Sequence, residues 1–256
     1  MGKRTSFVPL WILLCLLAFA GCSGSGTPAG PSSAAASDAG SAPSAPPWPA
    51  ASVPVSAPEQ AETRKEDLSV RAVGKHPAGQ LLVKPASKAE VVPLRAPSCY
   101  GQETDLSWRG DYEALWEPSS GGEVSNIMPF PADFEIIQRD DTPLEMQPFR
   151  FGETDLFAYV PRYTDCHALE TYLFGVSGGE VFPVTFELTP ERIWGQIDQL
   201  PNRRFKVIGN ELIVTGGYGA GQDYINMYHF RYDAKKKSMV LQQTDLVKPN
   251  EIEFDD

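Results

Sequence analysis

The feature that most constrains the fold of this chain is a pattern of strand-like segments that recurs after 56 residues. Runs rich in aromatic and β-branched residues alternate with Gly, Pro, Asn and Asp, a punctuation typical of strands and turns. The two copies superpose without a gap, and five residue pairs are identical: Phe149 and Phe205, Leu156 and Leu212, Tyr172 and Tyr228, Phe174 and Phe230, and Val184 and Val240. Each copy has the length of a four-stranded antiparallel unit, roughly 55 residues. We therefore expect two equivalent units, with the paired leucines and phenylalanines buried at equivalent positions.

A partial third copy precedes these two units. The segment Ser120–Val124 has the same sequence as Ser177–Val181, and residues 112–116 would be the strand before it. About two and a half units are too few to close a propeller ring. We expect an all-β fold of antiparallel four-stranded meanders, arranged as an incomplete propeller or a two-layer sandwich, with a β-trefoil as a third possibility.

One segment between the two full units has helical signals. Thr189 is a good helix cap, and Pro190 suits the first helical position. Ile193, Ile197 and Leu200 recur with the spacing of one helix face. The sequence therefore predicts one short connecting helix within residues 189–200.

The second unit also carries a family resemblance. The segment Glu211–Gly217, followed by Tyr224–Asp233, resembles a blade of the kelch type. The resemblance implies a propeller-like arrangement of the strands.

The beginning of the chain has the layout of an export signal. Lys3 and Arg4 precede the uncharged run Phe7–Ala20, which at ~1.5 Å per helical residue is short for a membrane span and typical of a signal-peptide core. The segment Phe19–Cys22 resembles the lipobox of bacterial lipoproteins. The resemblance implies cleavage before Cys22, a lipid on its sulfur, and a location on the extracytoplasmic side of the cell membrane or outer membrane. An ordinary secreted protein cut nearby is the alternative.

Composition divides the rest of the chain. Of the 36 residues at 23–58, 31 are Ser, Ala, Pro or Gly, a composition that buries too little apolar surface to fold. Residues 96–256 contain 23 aromatic residues, enough for a sizeable core. We expect a lipoprotein signal peptide at 1–21, a lipidated and disordered tether at 22–95, and a β-rich repeat domain at 96–256.

The charge of the expected domain excludes one class of partner. Residues 96–256 hold 27 acidic and 13 basic residues. Nucleic-acid binding requires a basic face, so we expect no nucleic-acid partner. The expected partners are the membrane, through the lipid, and an envelope protein or glycan.

The cysteines predict one disulfide. Cys15 lies in the signal and Cys22 takes the lipid, which leaves Cys99 and Cys166 in an oxidising compartment. A bridge between them would contribute roughly 4 kcal/mol in a loop-entropy description. Two separate thiols are the alternative. Zinc is not expected, because two cysteines with the adjacent His167 have poor ligand spacing.

A glycine-rich loop is the first candidate for ligand binding. It contains Gly216, Gly217, Tyr218, Gly219 and Gly221, and it lacks the Lys-Ser/Thr pair of a phosphate-binding loop. Loops at the rims of rigid β-domains often carry binding. No cofactor or metal ligand is expected.

A second glycine-containing motif has a structural interpretation. The segment Gly175–Gly179 matches G-x-S-x-G, but the expected strand after Ser177 favours a turn, because a hydrolase serine is followed by a helix. His167 and His229 are expected to pack or to form hydrogen bonds at strand edges. We therefore expect a binding or scaffolding module and no catalytic residue. The alternatives are an envelope hydrolase that uses acidic residues and a purely structural or assembly lipoprotein.

Overall fold

The computed structural model of the protein describes residues 65–252. These residues form β-strands and one short 3-10 turn (Pro249–Glu251), with no α-helix among them. The expected all-β class is therefore confirmed. The expected signal peptide, Cys22 and the Ser/Ala/Pro-rich segment lie outside the described residues. No helix within residues 65–252 is long and apolar enough to cross a membrane.

The strands fall into two groups along the chain. The first nine strands form two small sheets: β1 (Lys65–Asp67), β2 (Ala72–His76), β3 (Gly79–Pro85), β4 (Ala89–Pro93), β5 (Leu106–Gly110), β6 (Tyr112–Pro118), β7 (Ser125–Pro129), β8 (Phe134–Gln138) and β9 (Leu144–Glu145). The second group forms one large sheet: β10 (Gln147–Phe151), β11 (Thr154–Tyr159), β12 (Leu169–Ser177), β13 (Glu180–Thr189), β14 (Arg192–Trp194), β15 (Gln196–Gln199), β16 (Lys206–Ile208), β17 (Glu211–Thr215), β18 (Ile225–Asp233) and β19 (Ser238–Val247).

The large sheet contains the two expected repeats. Strands β10 to β13 form one antiparallel four-stranded meander, and strands β16 to β19 form the other. The fourth strands of the two meanders pair in parallel, from Thr185 opposite Ser238 to Glu187 opposite Val240. The sheet order is therefore β10-β11-β12-β13-β19-β18-β17-β16. The two units share one continuous sheet.

This sheet curls around its own core. One face of its successive strands contributes a single cluster of buried apolar side chains, which includes Leu156, Leu173, Val184, Leu212, Phe230 and Met239. The two ends of the sheet also approach each other. Phe149 lies on β10 and Phe205 directly precedes β16, and their rings pack edge to face with centroids 6.3 Å apart. Burial of one face of every strand is the physical reason for the rolled, nearly closed shape.

Two smaller sheets cover the outside of the first meander. Their strand orders are β1-β4-β5-β8 and β7-β6-β3-β2-β9, and the strand expected at 112–116 is β6. A second apolar cluster joins these sheets to the outer face of β11 and β12, where Phe157, Tyr159, Tyr172 and Phe174 are buried. The central strands of the first meander are consequently buried on both faces.

The residue equivalence between the repeats is only partly as expected. Leu156 and Leu212 are both fully buried on second strands, as the repeat requires. However, Leu156 lies opposite Gly175, whereas Leu212 lies opposite Phe230. The gap-free equivalence of Phe174 with Phe230 is therefore wrong, because a one-residue difference in register moves a side chain to the other face of the sheet. Phe174 and Phe230 are both buried, but in different clusters.

The expected connecting helix is absent. Residues 189–200 instead contain β14, which pairs with β13, and β15, which pairs with β12. Ile193 is 55% exposed, so the apolar spacing does not define a buried helix face. Strands β12 and β13 each extend beyond their hairpin partners and offer free backbone groups, and pairing with them outweighs the weak local helix preference.

The expected domain boundary at residue 96 is also wrong. Strands β1 to β4 occupy part of the segment assigned to the tether, and Ala72, Leu81 and Val83 are fully buried. Burial alternates strictly along β3, the pattern of a strand with one face in the core. Prolines, glycines and mixed charge around these short strands conceal them from a reading of composition alone.

Candidate functional site

The glycine-rich loop connects β17 to β18 and is fixed to a neighbouring segment. The backbone N–H of Tyr218 donates to the carbonyl oxygen of His167 at 2.9 Å, and His167 Nδ1 lies 3.0 Å from the carbonyl oxygen of Tyr218. Within the loop, the N–H of Gly219 donates to Oε1 of Gln222 at 2.8 Å. These bonds hold the loop in a defined position beside residues 165–168.

Two glycines of the loop are required by geometry. A Cβ at Gly217 would lie 2.6 Å from the Cβ of Ala168, so the two segments could not approach as closely with a larger residue. Gly221 has a φ of +82°, which favours glycine. These two glycines therefore permit the close approach to Ala168 and the backbone conformation at the end of the loop.

A pocket of about 310 Å³ lies against this loop. Three aromatic side chains and several polar side chains line it: Trp194, Tyr218, Tyr228, His167, Asp198, Gln222 and Asn226. Trp194 and Asp198 come from β14 and β15, and Tyr228 and Asn226 come from β18. The pocket therefore lies between the glycine-rich loop and the segment 189–200 that connects the two meanders.

The chemistry of the pocket suits a ligand with both apolar faces and hydroxyl groups. Aromatic rings offer flat surfaces for the C–H face of a sugar ring, and amides and carboxylates exchange hydrogen bonds with hydroxyls. Asn226 Nδ2 donates to the Tyr228 hydroxyl at 3.2 Å, which places two hydrogen-bonding groups together at one wall. Asp198 is the one carboxylate among the described lining residues.

The disulfide stabilises one wall of the pocket. Cys99 and Cys166 are bridged, as expected, with their Cα atoms 4.9 Å apart. Immediately after Cys166, the N–H groups of His167 and Ala168 donate to Oδ1 of Asp165 at 2.9 and 3.3 Å. The bridge and this turn hold the segment against which the glycine-rich loop rests.

Ser177 ends β12, directly before the hairpin turn at Gly178 and Gly179. It shares a cavity of about 390 Å³ with His76 and Asp155. However, His76 Nε2 lies 3.2 Å from Asp155 Oδ2, and His76 Nδ1 accepts a hydrogen bond from the N–H of Ala78 at 3.0 Å. The Ser177 hydroxyl donates to the carbonyl oxygen of Glu153. The histidine and the serine are thus each bonded to other groups, without the serine–histidine hydrogen bond of an activated nucleophile.

The two histidines singled out from the sequence form hydrogen bonds or ion pairs at the surface of the sheet. His167 contacts the glycine-rich loop, as described above. His229 Nε2 lies 3.1 Å from Asp245 Oδ2, and Nδ1 lies 3.6 Å from Glu211 Oε2. Within residues 65–252, no three side chains of His, Cys, Asp or Glu are grouped as metal ligands.

Comparisons with known proteins give no family assignment. No family model matches the chain, and no curated protein matches it. Among solved structures, a mutant β-fructofuranosidase of glycoside hydrolase family 32 from Bombyx mori, in complex with sucrose, is similar over 72% of this chain, with 8% identity and a TM-score of 0.23. The chain spans about half of that structure, 49% of its length. A likeness this weak supports no conclusion about fold or activity.

Sequence reasoning identified the loop but missed the walls of its pocket. Trp194 and Asp198 fall in the segment for which the sequence predicts a helix, and the structure places them on β14 and β15 in the pocket wall. His76 was missed because it lies in the segment assigned to the tether. The short apolar run Leu81–Val83 in β3 is the nearest sequence signal for a strand in this segment.

Proposed function

We propose that this protein is a membrane-anchored envelope lipoprotein whose acidic β-domain binds a glycan in the pocket beside the glycine-rich loop. The observation that carries the proposal is the lining of that pocket, where three aromatic rings stand beside neutral hydrogen-bonding side chains. The lipobox-like segment ending at Cys22 supports anchoring, and the Ser/Ala/Pro-rich composition of 23–58 supports a spacer between membrane and domain.

The size of the pocket favours a glycan over a protein partner. About 310 Å³ is at the lower end of small-molecule sites and suits one or two sugar rings. A protein partner would need a contiguous surface of roughly 800 Å² on each side.

Binding is favoured over hydrolysis by the carboxylates of the pocket. Glycosidases generally use two carboxyl groups separated by roughly 5–10 Å across the scissile bond. Asp198 stands alone as a carboxylate among the described lining residues. The pocket therefore lacks the pair that the hydrolase alternative requires.

The binding proposal is tested with two uncharged probes, chitotriose and maltotriose, titrated calorimetrically into the full chain. We expect at least one to bind, and Trp194→Ala to weaken binding about tenfold, because an aromatic contact contributes roughly 1–1.5 kcal/mol. Tyr224→Ala is the matched control, since Tyr224 is an exposed aromatic residue near the loop that does not line the pocket. Absence of binding by both sugars, or equal weakening by both variants, would support the structural alternative instead.

The anchor is tested separately by metabolic labelling with a fatty-acid analogue. The proposed thioether requires the sulfur of Cys22, so Cys22→Ala is expected to abolish the label. Cys15→Ala is the control and is expected to retain it. Equal labelling of the Cys22→Ala variant and the unaltered chain would contradict the anchor.

A further inference from the structure

A second and larger cavity lies beside β15, away from the glycine-rich loop. It has a volume of about 880 Å³ and is lined by residues 144–148, parts of 158–169, Gln199 and residues 202–205. Gln199 lines this cavity, and its neighbour Asp198 lines the loop pocket. The two linings share no residue, so the cavity and the loop pocket are separate sites.

The charge of this cavity is opposite to that of the domain. Residues 65–252 hold 27 acidic and 19 basic residues. The cavity nevertheless brings together three arginines, Arg162, Arg203 and Arg204, with Glu145 as the one acidic lining residue described. Glu145 Oε1 lies 3.3 Å from the ammonium of Lys75, which offsets its charge. The cavity is therefore locally positive on an acidic protein.

Two of the arginines are held in place. Arg203 is only 5% exposed, so its position is fixed by packing. The Arg162 guanidinium lies over the ring of Tyr100, 4.7 Å from its centroid, and its Nη2 is 3.4 Å from Asp165 Oδ2. Arg204 is exposed at the mouth of the cavity. Preorganised guanidinium groups are the side chains best suited to bind carboxylate or phosphate oxygens.

Gln199 supplies an independent indication of a ligand. The residue is 7% exposed and lines the cavity, and among the described residues its Oε1 has no hydrogen-bond partner. A buried acceptor without a partner costs roughly 1–3 kcal/mol, so such atoms usually have a donor when the protein is functional. A hydroxyl group of a ligand in the cavity would be such a donor.

We propose that this cavity binds an anion that carries hydroxyl groups, with its carboxylate or phosphate on the arginines and a hydroxyl on Oε1 of Gln199. The shared chemistry is that of an acidic sugar or a phosphorylated polyol. This site is separate from the loop pocket of the proposed function, and either can fail without the other.

The test uses the full chain and three probes: trigalacturonate for carboxylate, sorbitol 6-phosphate for phosphate, and uncharged maltotriose. Calorimetric titration at fixed low salt is expected to show binding of at least one anionic probe. Arg204→Gln is expected to weaken it about tenfold, the loss of one charge-assisted hydrogen bond. Arg109→Gln is the matched control, because Arg109 is likewise exposed but lies on β5, outside the cavity.

Gln199→Met tests the hydroxyl contact, since it keeps the length of the side chain and removes the acceptor. We expect weaker binding of the bound anionic probe, with a melting temperature no lower than that of the unaltered chain. If trigalacturonate alone binds, the anion is a carboxylate, and if sorbitol 6-phosphate alone binds, it is a phosphate. Binding of neither anion would overturn the proposal, as would equal weakening by Arg204→Gln and Arg109→Gln. The loop-pocket variant Trp194→Ala should leave binding of the anion unchanged.

Discussion

The two meanders of the large sheet have the same strand order but different surroundings. In the first, β11 and β12 are buried on nearly every residue. In the second, β17 alternates between buried and half-buried residues, and much of β18 is half-buried or exposed. Both meanders contribute their inner face to the same core, whereas the two smaller sheets cover only the outer face of the first.

This difference explains the residues found at equivalent positions. Because Gly175 corresponds to Phe230 in the observed register, Phe174 corresponds to His229. Phe174 is buried beneath the smaller sheets, whereas the His229 ring lies 3.1 Å from Asp245 Oδ2 and 3.6 Å from Glu211 Oε2 on the uncovered face. The same strand position can therefore hold an apolar residue in the copy that another sheet covers and a polar residue in the copy that no sheet covers.

The largest effect that would test this comparison is at the outer face. Phe174→Ala is expected to lower the free energy of unfolding by about 3–5 kcal/mol, because it leaves a cavity under the smaller sheets. The equivalent His229→Ala is expected to cost about 1 kcal/mol, because its polar contacts with Asp245 and Glu211 lie on a face that no further layer covers. Urea denaturation of both variants measures the difference. Similar losses would contradict the assignment of Phe174 and His229 to equivalent positions with different burial.

The disulfide provides the next comparison, because it constrains only one meander. Cys166 lies in the connection between β11 and β12, whereas the corresponding connection in the second meander is the glycine-rich loop. Reduction is expected to cost about 2–4 kcal/mol for a loop of this length. Hydrogen exchange should quicken more at residues 160–172 than at 225–233. A uniform increase across both segments would show that the bridge stabilises the whole sheet equally.

A smaller effect is expected at the position where the two inner faces differ. The first meander has Gly175 where the second has Phe230, and the ring of Phe182 fills the space over the glycine. A Cβ at Gly175 would lie 2.5 Å from Cε2 of Phe182, so Gly175→Ala is expected to cost about 1–3 kcal/mol. The double variant Gly175→Ala/Phe182→Leu should recover part of the loss. Thermal unfolding of the two variants provides the measurement, and no recovery would locate the strain elsewhere.

The smallest effect concerns the pH dependence of stability that Asp67 contributes from β1, in one of the two smaller sheets. Burial raises the pKa of Asp67, but hydrogen bonds from Ser69 and from the Trp108 indole outweigh burial and hold the pKa below its ordinary value. A carboxyl whose pKa is lowered by folding stabilises the protein above its unfolded pKa of roughly 3.9, and this contribution is lost as the pH falls further. The unaltered chain should therefore be more stable than Asp67→Asn at pH 7, with a smaller difference at pH 3. A difference independent of pH would exclude ionisation of Asp67 as the cause.

Local patterns in the sequence determined the strand-rich class, the two meanders, the disulfide partners and the glycine-rich loop. Each depends on alternation, turn residues or residue type within a short stretch. The gap-free alignment predicted that Leu156 and Leu212 share a strand position, but it could not show that Phe174 and Phe230 face opposite sides. Register is set by which face of a strand is apolar and by the geometry of its turn, and β12 is apolar on both faces, so its pattern does not show which residues enter the inner core.

Tertiary structure alone decided how the segments between these patterns were used. Residues 189–200 became strands because β12 and β13 offered unpaired backbone groups, and residues 65–93 became part of the fold because their alternate side chains entered a shared core. The arginines of the second cavity come from segments more than 40 residues apart, and only the pairing of β15 with β12 brings Gln199 beside them. Sequence specifies which residues prefer burial or pairing, and the competition among distant partners determines where each preference is satisfied.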